Sequence, residues 1–128
     1  MITGRITAEL EGIIGLEVNG SGAPPQQVEA VIDTGFNGYL TLPNRVIGLL
    51  NLPPAGNRSA TLGDGSAVIL DAFLARVSWH GRDRDVLVLG AEGGAVVGMS
   101  LLHGSRLSME VVDDGDIAIE ELASSAPP

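Results

Sequence analysis

The chain has 128 residues, no cysteine and a formal net charge of -9 at pH 7. Its length suits one domain that folds without disulfides, and the lack of thiols excludes thiolate zinc sites, iron–sulfur clusters and a cysteine nucleophile while fitting a reducing compartment. All seven Lys+Arg positions are arginine, and so acidic a surface repels phosphate backbones, which argues against a nucleic-acid partner.

The amino terminus, MITGRITAEL, has no basic segment followed by an apolar run and so reads as no secretory signal. No stretch approaches the roughly 20 apolar residues of a membrane span, so a cytoplasmic protein without a membrane partner is expected. From Arg5 to Val18 the chain alternates over short range and is rich in β-branched residues, and Ser21-Gly22-Ala23-Pro24-Pro25 supplies a turn. Gln27 to Ile32 continues as a strand whose end is apolar on both faces, as in a central position. Gly38 to Leu42 is another short strand. Pro43 to Leu50 is the helix candidate, since Pro43 suits a first turn and Pro53-Pro54 stops continuation.

Two long β-type runs follow, Arg58 to Leu62 and Ser66 to Trp79, joined by a hairpin signal at Gly63-Asp64-Gly65. A second hairpin turns near His80-Gly81-Arg82, and Val86 to Leu89 is apolar throughout. Trp79 and Phe73, at even spacing, read as core or dimer contacts. Ala95 to Val97 is a short strand, and Met99 to His103 allows one helical turn or two. Leu107 to Val112 and Ile117 to Leu122 form a last hairpin around Asp113-Asp114-Gly115, and Ala123 to Pro128 reads as a disordered tail of small residues. The pattern is all-β, with little helix, one domain and no internal repeat.

Within it, VIDTGFNGYL (Val31 to Leu40) runs an apolar strand directly into Asp33. A carboxylate there must be hydrogen-bonded, paired or put to chemical use. One solution is purely local: an Asx-type turn that bonds the carboxylate to backbone amides. The context adds more. A projecting hairpin follows, and about sixty residues downstream stands a second apolar strand ending in glycine, AVVGMSLL; Tyr39-Leu40-Thr41-Leu42-Pro43 gives a strand and a leucine-proline step.

Together these elements resemble the retropepsin-like aspartic peptidases, in particular their small single-domain bacterial members. The resemblance runs from about Ala8 to about Leu122 and is most specific over residues 31 to 43 and 96 to 110. It implies a single-domain acid-protease fold over residues 1–122: a closed or partly closed β-barrel with a flap hairpin and one or two short helices. It makes Asp33 the catalytic aspartate and Thr34 and Gly35 the rest of its signature turn. In the family the threonine hydroxyl crosses to the partner's turn, and the glycine lets backbone approach backbone. Asn37 falls where a polar residue supports the loop, and Phe36, at a variable position, implies different pocket walls. Gly63, Asp64 and Gly65 resemble the flap tip. Val96, Val97 and Gly98 resemble the segment that passes beneath the active-site loop.

Peptide hydrolysis by this route needs two adjacent carboxylates that share one proton. Only one DTG is present, so the resemblance implies a homodimer in which Asp33 meets its symmetry mate. Two functions are expected to compete: an endopeptidase acting on a peptide or protein substrate, and a dimer of the same fold that binds peptides or serves assembly with little or no hydrolysis. Other constellations are poorer. Ser100, His80 and His103 lack a G-x-S-x-G elbow, the two histidines have no zinc spacing, Asp113-Asp114-Gly115-Asp116 lacks an EF-hand's ligand pattern, and GAEGGAVVG does not fit a dinucleotide fingerprint. No metal or cofactor is implied.

Overall fold

The computed structural model describes residues 1–61 and 64–123. It is all-β: β1 (Ile2–Ile6), β2 (Gly12–Asn19), β3 (Gln26–Ile32), β4 (Leu40–Leu42), β5 (Pro54–Thr61), β6 (Ala67–Trp79), β7 (Arg82–Gly90), β8 (Ala95–Val97), β9 (Ser105–Met109) and β10 (Asp116–Glu121), with two short helices, α1 (Asn44–Leu50) and α2 (Met99–Leu102). Six strands close a barrel in the order β2, β3, β8, β4, β7, β6, because β6 returns to pair Val77 with Val18 of β2. The first half of β2 carries an outer extension instead, with β1, β10 and β9 added in turn. Among the described residues, no helix is long and apolar enough to cross a membrane.

Alternation builds the barrel. Ile14, Leu16 and Val18 of β2 point inward, as do Ala75, Val77 and Trp79 of β6 and Val86 and Val88 of β7, and all are buried. Phe73 is half-buried against the same core. β3 lies between β2 and β8, and its last residues, Val31 and Ile32, are half-buried on opposite faces, as its two-sided apolar pattern requires. Helix α1 buries Val46, Ile47 and Leu50 and ends where Asn51 adopts φ 51°, a left-handed stop before Pro53.

Several boundaries differ from the sequence reading. The Arg5 to Val18 run is broken by a tight turn in which Leu10 has φ 63° and its N–H bonds Thr7 O. No Gly, Asn or Pro stands there to announce it. β5 starts at Pro54, passing an irregularity between Pro54 and Asn57, and β7 starts at Arg82 directly after a turn in which His80 and Gly81 both have positive φ. β9 spans Ser105–Met109, so the last connection is longer than a tight Asp-Asp-Gly turn. Gly63, expected at the flap tip, and residues 124–128 of the expected tail lie outside the described residues.

Candidate active site

The site begins where β3 ends. Strands β3 and β8 run parallel, Ile32 beside Val97, and the Asp33 N–H extends the ladder by donating to Val97 O at 2.9 Å. The chain then reverses: Phe36 N–H donates to Asp33 O at 3.1 Å and Gly35 N–H to Asp33 Oδ1 at 2.9 Å. This is the Asx-type turn expected of the residues alone. Asp33, Thr34 and Gly35 are all exposed.

Beneath that turn, β8 passes between β3 and the antiparallel β4 and leads through Gly98 into α2. The first N–H groups of a helix have no acceptor within it. Here the loop after Asp33 supplies them. Met99 N–H donates to Phe36 O at 2.8 Å, Ser100 N–H to Gly38 O at 3.2 Å and Gly98 N–H to Tyr39 O at 3.1 Å. The Ser100 hydroxyl donates to Asn37 O. Four consecutive loop carbonyls are thereby bound by Gly98, Met99 and Ser100, and α2 needs no side-chain cap.

So close an approach excludes side chains. A Cβ at Gly98 would overlap the carbonyl oxygens of Gly38 and Phe36, and one at Gly38 would overlap the Phe36 ring. The half-buried Phe36 ring therefore folds over the two glycines of the crossing and locks it. Arg84 completes the arrangement at the far end of α2, donating to Leu101 O at 3.3 Å and Ser100 O at 3.4 Å, with Cζ 5.4 Å from the centre of the Tyr39 ring.

The chain that follows Asp33 and the segment beneath it carry no other acid. Neither Asp nor Glu occurs between Thr34 and Gly63 or between Gly93 and Met109. A cavity of about 720 Å³ lies elsewhere, between Glu17, Ser21, Leu74, Arg76 and Asp85, and includes no residue of the turn or of the segment beneath it. Asp33 itself is exposed at the surface. Among the described residues, no three His, Asp or Glu side chains are grouped to hold a metal ion.

The Asp33 to Asn37 loop is brought against Val96, Val97 and Gly98 by the β3–β8 pairing and the loop-to-α2 hydrogen bonds. Asp64 and Gly65 sit at the tip of the β5–β6 hairpin. There Asp64 Oδ1 accepts the Ser66 hydroxyl at 2.6 Å and the Ser66 N–H at 2.9 Å. The hydroxyl first, then the N–H, holds the Asp64 carboxyl below the usual carboxylate range. Among the described residues, neither Asp64 nor Gly65 joins the hydrogen-bond network of the Asp33 turn. Sequence reasoning missed Tyr39, Arg84 and the true role of Ser100, which clasps the loop. His80 pairs with Ser105, its Nε2 at 2.8 Å from Oγ, and not with Ser100. A serine two residues after Gly98 was the one available signal for the clasp.

No protein-family model matches the chain, and no curated protein matches it.

Proposed function

We propose that the chain is a retropepsin-like aspartic endopeptidase that works as a homodimer, with Asp33 of one copy facing Asp33 of the other across a twofold axis. The observation that carries this reading is the exposed Asp33 turn, seated through four successive carbonyls on the start of α2 and stripped of competing acids on both segments of the crossing. A lone surface aspartate would need no such mounting. A second carboxylate has to come from outside this stretch, and a second copy supplies it with matched geometry.

In the dimer two carboxylates in contact hold one proton between them. The ionised Asp33 removes a proton from a water whose oxygen attacks the scissile carbonyl carbon, while the protonated Asp33 donates to the carbonyl oxygen as charge develops there. Collapse of the tetrahedral adduct breaks the C–N bond: one of its hydroxyl protons returns to the dyad as the carboxylic acid forms, the departing amine takes a proton from the dyad, and the pair again holds one proton. Thr34 stands beside the axis in this arrangement, and Gly35 keeps the two turns close. An extended peptide lies along the cleft by strand-like bonding, under the β5–β6 hairpins with Asp64 and Gly65 at their tips.

A second reading has its own support. The Asp33 carboxylate already accepts the Gly35 N–H, which is all a structural turn asks of it, and a dimer that only binds peptides would look the same. Cleavage of a diverse peptide library from acidic to neutral pH separates the two, with wild type and Asp33→Asn compared and mass measured under the same conditions. Cleavage by a wild-type dimer that vanishes in Asp33→Asn is expected. A folded dimer that cleaves nothing would leave the binding reading in possession.

A further inference from the structure

We propose that Arg84 is a positioning residue for the Asp33 turn, acting through α2 and Tyr39; this rests on the reading of Asp33 as catalytic. Arg84 shares the inward face of β7 with Val86 and Val88, which are both buried, and is itself only half-exposed. A guanidinium in such a place needs partners. Its neighbours find carboxylates: Arg76 pairs with Asp85, and Arg82 pairs with Glu121. Arg84 instead directs Nη1 and Nη2 at two backbone carbonyls, Leu101 O and Ser100 O.

Those two carbonyls belong to the last turn of α2, where a helix has no N–H groups of its own to offer. A four-residue helix left unsupported at that end would fray. Its other end is what grips the active-site loop, through the N–H groups of Gly98, Met99 and Ser100 and the Ser100 hydroxyl. Ser100 is the shared link: its N–H and hydroxyl hold the loop while its carbonyl is held by Arg84. The guanidinium also lies over the ring of Tyr39, whose carbonyl takes the Gly98 N–H. One planar cation therefore touches both partners of the crossing, the helix and the residue where the loop leaves it. Lysine keeps the charge but cannot bridge two carbonyls and stack at once.

The test compares the full-length chain with Arg84→Met and Arg84→Lys. Backbone amide exchange at Gly98, Met99 and Ser100 is expected to quicken at least about tenfold in Arg84→Met and by an intermediate factor in Arg84→Lys, while the amides of the β2–β3 ladder keep wild-type rates. In peptide cleavage kcat should fall roughly ten- to a hundredfold with KM within about twofold, the mark of lost alignment at the reacting atoms. Wild-type exchange at those three amides overturns the proposal, as does an acceleration shared equally by the β2–β3 ladder, which would make Arg84 a general stabiliser. An active wild type whose kcat survives in Arg84→Met overturns it too, while leaving the peptidase reading intact. A wild type that cleaves nothing removes the peptidase reading, and exchange alone then decides whether Arg84 positions the turn.

Discussion

Gly98 carries the tightest demand at the crossing beneath Asp33, because its missing side chain is the space in which two carbonyl oxygens of the Asp33 loop sit. Gly98→Ala must push backbone against backbone, and a loss of about 1–3 kcal/mol in denaturant unfolding is expected, the usual cost of overpacking. Gly15→Ala is the matched control, since nothing lies within 4 Å of a Cβ there and a strand residue gains by losing glycine's freedom. It should be neutral or stabilising by about 0.5 kcal/mol. Ser100→Ala sits between them, releasing Asn37 O at a cost of about 0.5–1.5 kcal/mol. If Gly98→Ala and Gly15→Ala unfold alike, the crossing is looser than its hydrogen bonds indicate.

At the scale of elements, the β6–β7 turn is fastened to the β9–β10 hairpin by two polar contacts, His80 to Ser105 and Arg82 to Glu121. Burial first lowers the His80 pKa from 6.5; Glu121 opposes this, while the N-terminal amine, Arg82 and Arg84 add to it. The folded state therefore favours neutral His80. The stability this gives is fully present above about pH 6.5 and is lost as the pH falls through the lower folded value. His80→Asn keeps a residue that tolerates positive φ and should flatten that part of the melting temperature profile between pH 7.5 and pH 5. An unchanged slope in the variant would assign the acid sensitivity to other groups. Hairpins of this kind were the readable part of the chain, because His80-Gly81 and Asp64-Gly65 sit between alternating runs that announce a turn. The Leu10 turn was not readable, for its left-handed residue is held by neighbouring backbone bonds and carries no glycine or asparagine. Asp33, Gly35 and Gly98 could be picked out because their spacing resembles a known arrangement. Arg84 could not, since an arginine in a polar-looking RDRD run declares nothing until α2 arrives over it.

For the whole molecule, the net charge of -9 means that bringing two copies together sets like against like. Under the proposed function, dimerisation should strengthen with salt. Between ionic strengths of about 0.01 and about 1 M the Debye length shrinks from about 30 to about 3 Å, and sedimentation at pH 7 should show the dimer gaining over the monomer. A monomer that persists across that range would take from Asp33 its second carboxylate. The crossing beneath Asp33 also bears on the order in which the molecule is made. Every carbonyl that seats the turn, from Phe36 to Tyr39, waits for a donor about sixty residues further along the chain, and contacts of such long range close late because the intervening loop must lose its freedom first. During synthesis, then, the aspartate leaves the ribosome early and unmounted. A nascent chain shorter than Ser100 carries Asp33-Thr34-Gly35 without the platform that seats it, and under the proposed function topology would keep such a chain from cutting even before dimerisation is considered.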